Sequence, residues 1–480
     1  MKSILTLVIS IFAITSFSGP HFGRVRYLHD AVRGALIDLS ERISPDRGGV
    51  IIMNRGTTGR YRKSHLNLPG ELHQVGSLLL YRAGKDTGIR SVADDTIRFT
   101  DCFTLGELSA AIKKVNGIQG DRIKEGEVLL IPNPLPALIP DYTAGRTRTI
   151  SPVRGLYLTG SSAGGGSFPR LVAKMKEHGI NAVVFDVKDI TGIVNYRSGV
   201  AAVNRLDTHE KRSIHNIGKM IRLLKTGGIH VIARIAVFQD HLLARKAPAL
   251  AIRSRKNGGV WNAGNKEIWL DPTSRQVQDY TLDLTRELLD LGVDEIQYDY
   301  IRFPTTGRLS DAAYSYDFGK MSNQQVITSF LKRAHAMIKA KNALLSIDIF
   351  GVVAWGKECD IEKTGQDIRM LARHCDIISP MLYPSHFNDD FDGFPNPGDQ
   401  PYHFIYEGCR KVIGLSGGTV AVRPWLQAFR WRVSSYNPEY IRKQMKASDD
   451  SGAKGYLFWN ASNDYRNVWR ALVPESIIQQ

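Results

Sequence analysis

The sequence is short of cysteine, with four in 480 residues: Cys102, Cys359, Cys375 and Cys409. They form no C-x-x-C pair, which argues against a zinc ribbon. A Cys359–Cys375 disulfide stays open for an oxidising compartment, beside the alternative of buried thiols. Long hydrophobic runs are also scarce. The most apolar stretch, Ile4–Ile14 behind Lys2, is shorter than the ~20 residues of a comfortable membrane span. A charged start, an apolar centre and the small residues Ser16, Ser18 and Gly19 fit a secretory signal over residues 1–19. An uncleaved N-terminal anchor is the alternative, and the sole route to a membrane. H-E-x-x-H is missing, which disfavours a zinc protease, and no G-x-G-x-x-G turn supports a dinucleotide fold. A serine-hydrolase elbow is discounted. No basic stripe interleaved with aromatics occurs, so nucleic acid is not an expected partner.

What is present is ordinary globular material. Hydrophobic residues make up 43% and charged residues 23%, which excludes collagen-like and wholly disordered chains. At about 150 residues per domain the length suits two or three domains. Lys and Arg number 63 against 47 Asp and Glu, a net charge of +16. The excess is spread along the chain and suits an anionic surrounding such as a cell envelope.

Residues 20–73 read as a basic, loop-rich region. In residues 74–133 the run TLGELSAAIKKVNGI places Leu105, Leu108, Ile112 and Val115 on one helical face. A turn at Glu125-Gly126 and a short strand ending at Pro132 follow. This helix, followed by D-x-I-x-x-G-x-x-L-x-I-P over Asp121–Pro132, resembles the second half of a LysM glycan-binding module. The resemblance implies peptidoglycan or another envelope glycan as a partner; a small α+β cap on the next domain is the alternative. Residues 134–150 read as a proline-rich linker.

From residue 151 to about 475 the pattern is strand, helix, strand, repeated. Apolar or β-branched runs fall at Arg154–Thr159, Ile180–Asp186, Ile229–Val237, Glu295–Tyr300, Leu344–Phe350, Asp376–Leu382, Thr419–Leu426 and Gly455–Trp459. Eight strands with intervening helices predict an α/β fold with a parallel sheet closed as a (β/α)8 TIM barrel.

Active sites of such barrels lie at the carboxyl ends of the strands. That rule selects Asp186, Lys188 and Asp189 on the second strand, Asp299, Tyr300 and Arg302 on the fourth, Asp348 on the fifth and Tyr383 on the sixth. Arg423, Trp425 and Gln427 follow on the seventh, and Trp459 and Asn460 on the eighth. An aspartate inside an apolar strand is costly to bury unless paired or functional. Asp299 and Asp348 fit that description on neighbouring strands, which run about 4.8 Å apart. Two carboxylates so placed suit a retaining glycosidase, one as nucleophile and one as acid/base. Asp186, Lys188, Tyr300, Arg302, Tyr383, Gln427 and Trp459 are the expected substrate contacts, with Asp240, Asp271 and His386 as further candidates. No metal ion or organic cofactor is required.

The motifs VRGLYLTG, INAVVFDVKDITGIVNY, VIARIAVFQD, DEIQYDYIRFP, SIDIFG and IISPMLYPSHF resemble a family of glycosyl hydrolases with an α-amylase-like TIM barrel, over residues of about 151–470. The resemblance implies carbohydrate as the substrate and the aspartate closing strand four, Asp299, as nucleophile. Amylase-like barrels carry a glutamate as acid/base on strand five; here Asp348 stands there, with Glu358 a little further on. The predicted protein is an exported glycoside hydrolase. The rivals are a non-catalytic glycan-binding envelope protein and a surface protein that binds anionic polymers by charge.

Overall fold

The computed structural model describes residues 71–75, 78–84, 87–133, 143, 146, 148–264, 267–315 and 321–473. The signal at 1–19 and nearly all of the 20–73 region lie outside them. The described residues fall in two compact units, one drawn from the chain up to Val92 with Ile112–Pro132, the other from Ala93–Ala111 with Asn133 onward.

In the first unit β1 (Glu71–Val75), β2 (Leu78–Arg82) and β3 (Val128–Ile131) form an antiparallel sheet in which β2 is central. Two helices, α1 (Ile89–Thr96) and α2 (Leu105–Asn116), separate β2 from β3 in sequence. The Asn116 side chain ties the end of α2 to β3: its Nδ2 donates to Leu130 O at 2.8 Å and its Oδ1 accepts from Leu130 N at 2.9 Å.

The second unit is a closed parallel barrel. Its strands are β4 (Val153–Leu158), β5 (Ala182–Lys188), β6 (His230–Ala236) and β7 (Glu295–Asp299), then β8 (Leu344–Phe350), β9 (Ile377–Met381), β10 (Ala421–Val422 resumed at Trp425–Gln427) and β11 (Gly455–Trp459). Each pairs with its neighbours in chain order, and β11 returns to β4. All eight predicted strands are present. β10 is broken because Pro424 has no N–H to give to the ladder. Closure depends on Gly455: its φ is +84° and a Cβ there would meet Val153 O at 1.9 Å.

Helices follow the strands: α3 (Phe168–Glu177), α4 (Ile217–Thr226), α5 (Arg275–Leu291), α6 (Asn323–Ala340), α7 (Glu358–Thr364), α8 (Pro401–Leu415), α9 (Pro438–Asp450) and α10 (Arg466–Leu472). Their starts are written in the sequence. Ser274 caps α5 through Val277 N, and Ser322 with Gln325 forms a reciprocal capping box on α6. The main core lies between strands and helices. A second, smaller cluster fills the inside of the barrel, with Val153, Tyr157, Ala182, Val184, Ile232, Tyr383, Trp425 and Leu457. Alternate residues of each strand point inward, as the pleat requires.

At the amino end of the barrel Glu295 accepts from Arg423 Nη1 at 2.9 Å and lies 2.9 Å from His230 Nε2. Burial works against the Glu295 charge, but Arg423 and His230 outweigh it and draw the carboxyl down to about 2. The segment predicted as a proline-rich linker is tied down where it is described. Arg146 donates to Lys341 O and Leu289 O, both at 2.9 Å, and Arg148 pairs with Asp376. Residues 93–111 are likewise part of the barrel unit. Asp94 pairs with Arg197 and Arg212, and the Asn216 amide reaches the carbonyls of Ile97, Thr100 and Cys102 at 3.0, 3.2 and 2.9 Å.

No Cys359–Cys375 bond forms. All four cysteines are free thiols, three buried and Cys359 exposed. Among the described residues no helix is long and apolar enough to cross a membrane.

Candidate active site

Four adjacent strands, β5 to β8, each send one charged side chain inward near the carboxyl end, and Arg234 of β6 gathers the other three. Its Nη1 donates to Asp186 Oδ1 at 2.5 Å, and its Nη2 and Nε donate to Asp299 Oδ2 at 2.5 and 3.2 Å. Asp348 Oδ2 lies 4.0 Å from the same Nε. The oxygens of Asp299 and Asp348 facing that nitrogen therefore stand no more than about 7 Å apart, a span that admits the ~5–5.5 Å of a retaining pair.

The second oxygens are held as well. Asp186 Oδ2 accepts from the Tyr157 hydroxyl at 2.5 Å, Asp299 Oδ1 from Tyr300 N at 2.6 Å and Asp348 Oδ1 from Trp425 Nε1 at 2.8 Å. Among the described residues Asp348 Oδ2 has no hydrogen-bond partner. Asp348 is 1% exposed and Asp299 5%. Burial, and then the Asp299 carboxylate beside it, push the Asp348 carboxyl well above the usual range. Burial also raises Asp186, against the pull of Arg234. One guanidinium cannot balance three ionised carboxylates in a dry site, so the cluster retains a proton, and Asp348 is its best seat.

Strand β7 ends abruptly. Tyr300 has φ +51°, a left-handed conformation that costs a non-glycine residue about 1–3 kcal/mol and concentrates at functional sites. The bend lets the Tyr300 N–H turn back onto the Asp299 carboxylate.

Aromatic rings wall the cluster. Tyr157 stacks on Trp459 at 3.9 Å between centroids, and Arg234 lies 5.1 Å from the Trp459 ring centre. Beyond Tyr383 the rings of His386 and Trp431 continue outward, at 5.1 Å and then 4.8 Å, and Trp431 is 48% exposed. The Arg302 guanidinium lies over Phe350, Trp269 and Tyr300 at 4.1, 4.6 and 5.5 Å.

Asp299, Asp348, Asp186, Tyr300, Arg302, Tyr383 and Trp459 thus come together at one mouth. Two expected substrate contacts do not. Lys188 is fully buried in an ion pair with Asp240 at 2.8 Å; a one-residue irregularity between Asp186 and Lys188 shifts its register on β6. Gln427 is fully buried too. It braces a loop, accepting from Ser385 N at 3.2 Å and donating to the Phe429 and Trp431 carbonyls at 3.1 and 3.4 Å. Asp240 caps a short helix through Leu243 N, Asp271 holds a turn through Thr273 and Ser315, and Asn460 binds the Ala428 and Asp464 carbonyls. Arg423 belongs to the far end of the barrel with Glu295. Glu358 is exposed in the first turn of α7.

Arg234 and Tyr157 were missed. The signal for Arg234 was available: an arginine inside VIARIAV costs as much to bury as an aspartate and falls on the same inward face. Gly160–Gly164 reads GSSAG, which does spell the discounted G-x-S-x-G pattern. Ser162 Oγ there meets Thr159 Oγ1 at 3.2 Å, and no described histidine hydrogen-bonds it, so it lacks the base a serine nucleophile needs. Among the described residues no group of three or more His, Cys, Asp and Glu side chains is placed to hold a metal ion.

Residues 155–465 match the family described as "putative glycosyl hydrolase domain". Among solved structures, a hypothetical protein from Ruminiclostridium thermocellum is 33% identical over 40% of this chain and 96% of its own, with a TM-score of 0.36. The PgaB (BpsB) glycoside hydrolase domain from Bordetella bronchiseptica is 13% identical over 68% and 100%, with a TM-score of 0.49. The spore cortex-lytic enzyme SleL from Bacillus megaterium is 11% identical over 82% and 85%, with a TM-score of 0.40. No curated protein matches the chain.

Proposed function

Because the chain belongs to the glycosyl hydrolase family that its barrel matches, we propose that it cleaves the glycosidic bonds of an oligo- or polysaccharide by double displacement at the Arg234 cluster. In the first step Asp299 attacks the anomeric carbon. The bond from that carbon to the leaving oxygen breaks, and Asp348 gives its proton to that oxygen. In the second step Asp348, now a carboxylate, takes a proton from water as the water oxygen attacks the anomeric carbon. The Asp299 ester is broken, and both side chains return to their starting states. The observation that carries this reading is the unequal treatment of two carboxyls around one guanidinium. Asp299 is salt-bridged to Arg234, whereas Asp348 is desolvated, raised and has an oxygen that no described residue engages. A nucleophile and an acid need that difference.

The N-terminal α+β segment, with its LysM-like pattern, is proposed to hold the enzyme on an envelope glycan, and residues 1–19 to direct export. Purified full-length chain assayed on a glycan panel tests the chemistry. Asp299→Asn and Asp348→Asn should each lose at least a hundredfold in rate while still binding oligosaccharide. Binding without hydrolysis in wild type and both variants alike would favour a lectin-like barrel instead.

A further inference from the structure

Arg302 follows the left-handed turn at Tyr300 and is held from both sides. Ile301 O accepts from the Gln366 side chain and Phe303 N donates to Thr364 O. The residue is 7% exposed, and its guanidinium lies among the rings of Trp269, Tyr300 and Phe350. One Nη1 hydrogen bond reaches the Phe303 carbonyl at 3.0 Å. Among the described residues no carboxylate stands within ion-pair distance of it. Of the other buried arginines, Arg234 has Asp186 and Asp299, Arg423 has Glu295, and Arg146 donates to two carbonyls, whereas Arg302 reaches one. Asp299 and Glu267 act on Arg302 only from further off.

A desolvated guanidinium without a counter-ion is expensive, and aromatic faces offset only part of that cost. Phe350 lies two residues beyond Asp348 and Tyr300 directly follows Asp299, so the cage is framed by the same two strand ends that carry the catalytic pair.

We infer that Arg302 is an anion subsite and that the substrate is an acidic glycan, whose carboxylate or sulfate- or phosphate-type oxyanion forms the ion pair that no described residue supplies. The inference rests on the glycosidase reading for the word substrate, though not for the binding. A planar fork in an aromatic cage suits a two-oxygen anion better than a hydroxyl.

The test is affinity electrophoresis of the full-length chain against matched polymers: polygalacturonate with its methyl-esterified form, and dextran sulfate with dextran. Wild type should prefer an anionic member, and which pair shows the preference separates carboxylate from sulfate-type recognition. Arg302→Gln should weaken that preference about ten- to hundredfold. Arg275→Gln, at a side chain 68% exposed on α5, removes the same charge and should cost only the salt-sensitive fraction. Equal losses in the two variants, or no anionic preference in wild type, overturn the inference. Arg302→Lys keeps the charge without the fork and serves where Arg302→Gln does not fold. Hydrolysis of neutral glycans by wild type, with no preference for an anionic member in either binding or rate, removes the anion subsite and leaves the glycosidase reading. Arg302-dependent anion binding with no hydrolysis of any glycan does the reverse.

Discussion

Replacing Arg234 by Gln removes the guanidinium that Asp186, Asp299 and Asp348 share. Both Asp186 and Asp348 are 1% exposed, so water cannot take over. Breaking a buried ion pair by deleting one partner costs about 3–5 kcal/mol, because the other charge stays buried and unpaired. In a barrel of this size that corresponds to a fall in melting temperature of about 5–10 °C. The loss should depend on pH. Asp186 and Asp348 have folded-state pKa values raised above those of the unfolded chain. Their contribution is therefore favourable at low pH, where both states hold the proton, and is lost as pH rises through the folded values. Without Arg234 those values rise further, so the deficit should be larger at pH 8 than at pH 4.5. Calorimetry of wild type and Arg234→Gln at both pH values measures it. Adding Asp299→Asn to Arg234→Gln should restore part of the stability, since the pair is coupled. A deficit under 1 °C at pH 8, or one of equal size at both pH values, would refute the assignment of Arg234 as the electrostatic centre.

Other predictions follow from the same structure. Activity of wild type should fall as pH rises through the raised Asp348 value, since the acid must be protonated for the first step, and in Asp348→Asn the residual rate should lose that alkaline limb in a pH–rate profile. Lys188→Met should destabilise by about 3–5 kcal/mol in urea melts, because Asp240 is left buried without its cation, and should leave oligosaccharide affinity within about twofold. Gln427→Leu leaves backbone groups of Ser385, Phe429 and Trp431 without their partner; a stability loss of about 1–3 kcal/mol is expected, with weaker oligosaccharide binding if the Trp431 loop shifts. Glu295, drawn down to about 2 by Arg423 and His230 against its burial, stabilises above the unfolded-state value and loses that contribution as pH falls toward 2, so Glu295→Gln should flatten the acid limb of the stability curve.

The barrel was legible because its strands are buried on both faces and stand as separate apolar runs with amphipathic helices between them. The boundaries moved by a residue or two, and the one split strand, at Arg423-Pro424, is where proline interrupts the ladder. Asp299 and Asp348 were legible because a carboxylate inside an apolar strand is costly and the strand-end rule gives it a place. Arg234 obeys the same logic, but it stands two residues before the end of its strand, and the cost of burial was weighed for aspartates alone. Lys188 and Gln427 mark the limit of the rule. Both sit near strand ends, but a register shift sends one to Asp240, and a neighbouring loop claims the other's amide and carbonyl. Sequence position names the strand end; partners decide whether a polar side chain there faces substrate or holds the backbone. The pinning of Arg146 and Arg148 to the barrel base had no local signal, because their partners lie from about 140 to 230 residues downstream.

The central claim, that Asp299 forms a bond to the sugar while Asp348 manages the proton, is tested most directly by trapping. Full-length enzyme incubated with activated 2-deoxy-2-fluoro glycosides, chosen from sugars it hydrolyses, should gain the mass of one glycosyl group, and peptide mapping should place it on Asp299. Turnover of the parent glycan with the label on another residue, or with no covalent label from any sugar that is hydrolysed, would contradict the account.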